Sequence, residues 1–325
     1  MEAAIGGYFE LELPPPYGNP YPDALCFQSA RACFLALLLT GRPRRVWMPG
    51  YICDSMLAPL YAAGIECIFY SIDDSFGIAG QVTLEEEDWL LYVNYFGVCG
   101  RNVGRVLTMC NRQQVIIDNS QAFFSSPQDC LATIFSPRKF FGVPDGGLLV
   151  TDLPVPEPTD VDQESLSRSI HLLKRIDDSP EAGYEDYRHA EESLNDLRPR
   201  RMSRLTERLL SGIDYQRVRC RRNENFLFLH ERLGHLNDLD IDLSIIDGPL
   251  CYPLYADIPK IREQLIAHRI FVPTYWPDVI GRVDEDTSEA ELVHKCVAIP
   301  CDHRCQETEL TRVVEIIRSR GEREK

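Results

Sequence analysis

From about residue 28 onward, short apolar runs alternate with longer stretches patterned for helices, and this limits the fold more than any other feature. Residues 28–40 read as a strongly apolar helix, with Ser29 placed to cap its start and Gly41 at its end. Residues 53–63, closed by Gly64, and 103–112 read as further helices. Between them the runs 45–48, 65–70, 89–93, 115–117, 131–135 and 147–151 read as strands. Strands this uniformly apolar need cover on both faces. Alternation with helices therefore predicts an α/β fold with a mostly parallel sheet.

After Asp152 the pattern changes. Pro154, Pro156 and Pro158 mark a loop, and residues 160–234 read as mostly helical and highly charged. Alternation then resumes, with strands expected over 249–255, 270–274 and 296–299 and helices over 258–268 and 307–319. At roughly 100–200 residues per domain, 325 residues accommodate two. The expected division is a large α/β domain over 1–215 and a smaller C-terminal α/β domain over 216–325.

Charge and cysteine usage narrow the function classes. Lys and Arg total 34 against 50 Asp and Glu, a formal charge of −16. Such a surface repels phosphate backbones and anionic lipid, so neither a nucleic-acid nor a membrane partner is expected. The longest unbroken apolar run, Ala32 to Leu39, is far short of the ~20 residues of a membrane span. No signal peptide is visible at the N-terminus, and a cytoplasmic location is expected. The 12 cysteines include no C-x-x-C pair and sit mostly in apolar runs, as reduced buried residues do. His294, Cys296, Cys301, His303 and Cys305 match no common zinc spacing, so no metal is expected.

Three polar features follow strands or open helices, where α/β sheets bind ligands. Asp118-Asn119-Ser120-Gln121 follows strand 115–117, Ser136-Pro137-Arg138-Lys139 follows strand 131–135, and Ser29-Ala30-Arg31 opens the first helix. Singly, each also fits a turn, a cap or a solvated charge. Together they supply a lysine, a carboxylate and an anion site, the parts that hold pyridoxal 5'-phosphate. The lysine bonds the aldehyde, the carboxylate keeps the pyridine nitrogen protonated, and N–H and hydroxyl groups take the phosphate.

The same segments resemble the sugar aminotransferases, the DegT-like branch of fold-type-I pyridoxal-phosphate enzymes. Val115 to Ala122 is similar to that family's strand ending in D-x-x-[HQ], and Thr133 to Lys139 with Asp145-Gly146-Gly147 to its lysine motif. Tyr252-Pro253-Leu254, Arg269-Ile270, Tyr275-Trp276 and Ile299 to Asp302 resemble its small domain. The resemblance implies Lys139 as the cofactor-bonding lysine, Asp118 as the carboxylate on the pyridine nitrogen, and Gln121 at the ring oxygen or face. It also implies amino transfer, with glutamate as donor and a nucleotide-linked keto sugar as acceptor, in a homodimer whose sites are completed by the partner chain.

Two departures stand out. Ala30-Arg31 replaces the family's Gly-Thr, and the serine usually five residues before the lysine is Ile134, with Ser136 making an S-x-x-K spacing instead.

Tyr51 is a candidate to stack on the cofactor ring, or else plain packing. Nine arginines within 198–222 are either a diphosphate site, with Arg200 and Arg201 foremost, or a solvated helix paired with glutamates such as Glu207 and Glu224. The segment is also the candidate element for reaching the partner chain. Other chemistry on the same fold, a lyase or a desulfurase, and a non-catalytic binding or regulatory role remain alternatives. A desulfurase needs a mobile reactive cysteine, and no cysteine lies in an obvious polar loop.

Overall fold

The computed structural model describes residues 5–321. The first half runs β1 (Leu25–Phe27), α1 (Ala30–Gly41), β2 (Arg45–Pro49), α2 (Asp54–Ala63), β3 (Glu66–Ile72), β4 (Ile78–Ala79), β5 (Asp88–Val93), α3 (Gly100–Met109), β6 (Val115–Asp118), β7 (Ala132–Phe135) and β8 (Gly147–Thr151). These strands form one 8-stranded sheet in the order β1-β8-β7-β6-β5-β2-β3-β4. The central run β3-β2-β5-β6-β7 is parallel, and β4, β8 and β1 join by antiparallel pairing toward the edges. This is the expected α/β architecture. Every residue of β5, β6 and β7 is buried, as uniformly apolar strands under helices on both faces require. Because β5, β6 and β7 point the same way, the residues that follow them emerge at one sheet edge.

The charged stretch is helical: α4 (Ser165–Arg168), α5 (Ile170–Asp177), α6 (Tyr184–Ser193), α7 (Arg204–Ser211) and α8 (Tyr215–Leu233). The remainder is β9 (Tyr252–Tyr255), α9 (Ile261–Ala267), α10 (Ser288–Lys295), β10 (Cys296–Ile299) and α11 (Glu307–Gly321). β9 and β10 make a two-stranded antiparallel sheet. Its residues alternate between two cores. Cys296 and Ala298 pack with the main sheet, while Val297 and Ile299 join Phe226, Leu265 and Leu310 from α8, α9 and α11. Both faces are covered, which is why the strand Cys296–Ile299 is apolar throughout. α8 links the two regions, with Val218 packed beside Phe123 and Phe141, and Phe226, Leu229 and Leu233 in the C-terminal core.

The strand expected over 270–274 does not form. Arg269 takes a left-handed turn (φ 59°), Ile270 donates back to the Leu265 carbonyl at 2.8 Å, and Pro273 has no N–H to give a ladder. α10 was not expected, because the acidic stretch around Asp284, Glu285 and Asp286 hides the cap that Thr287 provides by accepting from Ala290 N. β1 and β4 are too short to show a period in sequence.

Candidate active site

Asp118 ends β6, paired with Ile134 of the neighbouring parallel strand β7. Its Oδ1 accepts from Ser120 N at 2.8 Å, which fixes the carboxylate at the strand end. β7 leads through Ser136 into a single helical turn, Pro137–Lys139. Asp118 and Lys139 thus leave adjacent parallel strands at the same edge. Both line a cavity of about 610 Å³, together with Ser29, Ala30, Arg31, Gln121 and Ser136. Seven of the residues singled out in sequence therefore meet in one place.

Lys139 is exposed because the cavity opens around it, yet protein lies close enough on the other sides for burial to lower its pKa. Cys53 and Asp118 oppose that shift, and Arg138 and Arg31 reinforce it. A lowered lysine keeps more of its amine neutral and nucleophilic near neutral pH.

The loop after Lys139 is pinned from α8. Arg222, 2% exposed, donates to the carbonyls of Phe140 (3.2 Å), Pro249 (2.9 Å) and Leu250 (3.1 Å), and its guanidinium lies 4.6 Å from the Phe140 ring centre. The lysine turn is thereby tied to the segment entering β9.

The opposite wall is the start of α1. Ser29 caps the helix, its Oγ accepting from Ala32 N at 3.2 Å, and the other first-turn amides have no partner within the helix. This end can approach β8 only because residue 147 is glycine: a Cβ there would stand 2.3 Å from the Ser29 carbonyl and 2.6 Å from Ala30 N. Gly147→Ala is expected to destabilise the fold by roughly 1–3 kcal/mol, the usual cost of overpacking. A denaturant midpoint equal to that of the unmodified chain would contradict this close fit.

Gly146, at φ 122°, makes the turn that delivers Asp145 inward. Asp145 is fully buried and accepts from Ser165, Thr206 and Arg168, while Arg168 also pairs with Asp162 at 2.7 Å. Removing one member of such a buried pair typically costs about 3–5 kcal/mol. The acidic-Gly-Gly turn is therefore an anchor for α4 and α7.

Three expected residues are placed elsewhere. Tyr51 is fully buried outside the cavity lining, its hydroxyl donating to the Tyr275 carbonyl. Arg200 pairs with Asp196 (2.7 Å) and Asp162 (3.5 Å), and Arg201 with Glu157 (3.1 Å) and Glu207 (3.3 Å). Neither arginine lines the cavity. Their segment is instead stitched to the start of α1, where Gln28 exchanges hydrogen bonds with the Arg200 backbone.

The cavity also holds residues to which sequence assigned no site role: Cys53, Ser120, Arg138, Glu191, Tyr275, Trp276 and Arg304 among them. Arg138 was visible beside the lysine but had no partner to suggest a role. Glu191 sits in the charged run of α6, where no periodicity distinguishes it. Cys53, just before α2, lines the cavity, and burial raises its pKa and holds it as the thiol.

The site has unmet hydrogen-bonding capacity. Gln121, 1% exposed, has its Oε1 fixed by Phe96 N at 2.9 Å while its Nε2 is buried without a partner. Ser120 Oγ and Arg138 Nε are also buried and unpartnered. Buried donors of this kind ordinarily have partners. These residues fit a polar, phosphate-bearing ligand.

No family model and no curated protein matches the sequence. Solved structures do match over nearly the whole chain. The sugar aminotransferase CalS13 of Micromonospora echinospora superposes with a TM-score of 0.63 at 14% identity, over 91% of this chain and 87% of its own. The PLP form of the putative sugar aminotransferase Spr1654 of Streptococcus pneumoniae gives 0.62 at 14% identity, over 93% and 88%. PseC of Helicobacter pylori, an aminotransferase of pseudoaminic acid biosynthesis, gives 0.56 at 15% identity, over 92% and 86%.

The chain shares their fold. On that fold Asp118 ends β6 and Lys139 closes the turn after β7, in the two segments that bear the resemblance in sequence. Among the described residues, no helix is long and apolar enough to cross a membrane.

Proposed function

We propose that this chain is a pyridoxal-phosphate-dependent aminotransferase that moves an amino group, with glutamate as donor, onto a keto group of a nucleotide-linked sugar. The observation that carries the reading is the convergence of Lys139, Asp118 and the N-terminus of α1 on one cavity whose buried donors lack partners. Similar structures described as sugar aminotransferases, one of them in its PLP form, support it.

In this reading Lys139 bonds the cofactor and serves as the proton carrier at its Nζ. Asp118 holds a proton on the ring nitrogen, and Gln121 Nε2 and Ser136 contact the ring substituents. Ser29, the first-turn amides and Arg31 hold the phosphate. The bound cofactor supplies an electron sink for the substrate's α-carbon. The large unit, 1–215, carries the cofactor, and the smaller unit, 216–325, closes the cavity with Tyr275, Trp276 and Arg304. A second copy of the chain covers the apolar residues Leu166, Leu173 and Ile176, which are 75%, 59% and 84% exposed beside the α6 wall. Burial that keeps Cys53 protonated disfavours the desulfurase reading.

Incubation of the PLP-loaded protein with L-glutamate tests the donor half, and 2-oxoglutarate should form in amounts equal to the enzyme. Adding a nucleotide-linked keto sugar should then make the reaction catalytic, whereas a keto acid alone should not. Turnover with keto acids and none with keto sugars would overturn the substrate assignment.

A further inference from the structure

Glu191 projects from α6 between two arginines at the α1 end of the cavity. One carboxylate oxygen accepts from Arg138, and the other lies 3.5 Å from Arg31. The arginine side chains are enclosed, 13% exposed at Arg31 and 15% at Arg138, whereas Glu191 is 30% exposed. Burial lowers the pKa of both, Arg138 to about 10, so these are cations held at a desolvation cost. One carboxylate does not saturate them. Arg31 turns to Asn195 Oδ1 at 2.8 Å for a further acceptor, and Arg138 Nε is buried without one.

We propose that Glu191 competes with phosphate for Arg31 and Arg138, occupying the anion end of the cavity until a phosphate group displaces it. The identity of the phosphate bearer rests on the cofactor reading above; the competition does not.

The charges support displacement rather than sharing. At this end Arg31 and Arg138 carry two positive charges against the one negative charge of Glu191, while Lys139, whose pKa burial lowers, is set against Asp118, and Arg304 is paired with Asp302 at 2.8 Å. With Glu191 in place one positive charge is left over, too little for a phosphate dianion. With Glu191 turned away two are left over, which matches it. Phosphate also offers enough oxygens to engage both guanidinium forks at once, including Arg138 Nε. The carboxylate already reaches solvent and can turn outward, and α6 need not move, since Ala190 and Leu194 (3% and 1% exposed) stay packed beneath it. Arg138 thereby becomes a second phosphate-holding arginine beside Arg31, where Ala30-Arg31 stands in place of Gly-Thr.

Inorganic phosphate is the direct probe, titrated calorimetrically into the full chain without added cofactor. Glu191→Gln is expected to tighten phosphate binding at least tenfold, and Glu191→Ala to shift it the same way. Arg138→Gln is expected to weaken it at least tenfold. A carboxylate that merely props the arginines would give the opposite sign, so weakened or unchanged binding in both Glu191 variants overturns the proposal. So does the absence of measurable phosphate binding in every form. The outcome is separable from the cofactor assignment: if the Glu191 variants bind phosphate more tightly but added PLP gives no visible absorbance, the cofactor reading fails and the competition stands.

Discussion

Lys139→Ala is expected to lose all amino transfer and the visible absorbance of the lysine-bound cofactor, while folding as before. The side chain stands in the open cavity and makes no hydrogen bond that the fold depends on, since its turn is held by its own backbone N–H to Ser136 O and by Arg222 on the following carbonyl. Truncation removes a cation that burial already disfavours, so stability should be unchanged or slightly higher. No other lysine can replace it. The sequence has five, and among the described residues Lys174, Lys260 and Lys295 lie outside the cavity lining. Turnover in the purified variant would remove Lys139 from the chemistry, and a melting temperature far below that of the unmodified chain would make it structural instead.

Asp118→Asn has the next largest expected effect. The amide is nearly isosteric and can still accept from Ser120 N, so the strand end and the cavity shape are kept. What is lost is the negative charge. Without it nothing holds a proton on the ring nitrogen, and the loss of one preorganised electrostatic partner typically costs on the order of a hundred- to a thousandfold in rate. The burden should fall on kcat for both half-reactions, because the same ring atom serves donor and acceptor. PLP binding should weaken without disappearing, since the phosphate contacts are at the far end. A variant with wild-type kcat would reduce Asp118 to a turn residue.

Much of this arrangement was legible in sequence because it follows from strand order and local chemistry. Uniform apolar runs gave the covered strands, and the polar residues after 115–117 and 131–135 gave Asp118 and Lys139, since adjacent parallel strands must open at one edge. Ser29 was readable as a cap. What sequence did not carry depends on which segments meet. Arg200 and Arg201 lie in an arginine-rich run, yet their charges are taken up by Asp162, Asp196, Glu157 and Glu207, none of which periodicity could assign to them. Tyr51 follows a strand like the site residues do, but its ring turns into the aromatic packing around Tyr95 and Trp276. Glu191 is one acid among many on α6, and only the approach of that helix to Arg31 and Arg138 gives it a role. The 270–274 segment was apolar enough for a strand, but a left-handed residue before it and a proline within it kept it out of the small sheet.

The most direct measurement on the central claim is borohydride reduction of the PLP-loaded protein, followed by peptide mapping of the fixed pyridoxyl group. The label should fall on Lys139, in the segment that follows Phe135, and should be absent from the Lys139→Ala variant. A label spread over Lys174, Lys260, Lys295 or Lys325, or no label after saturation with PLP, would contradict the assignment of this cavity as the cofactor site.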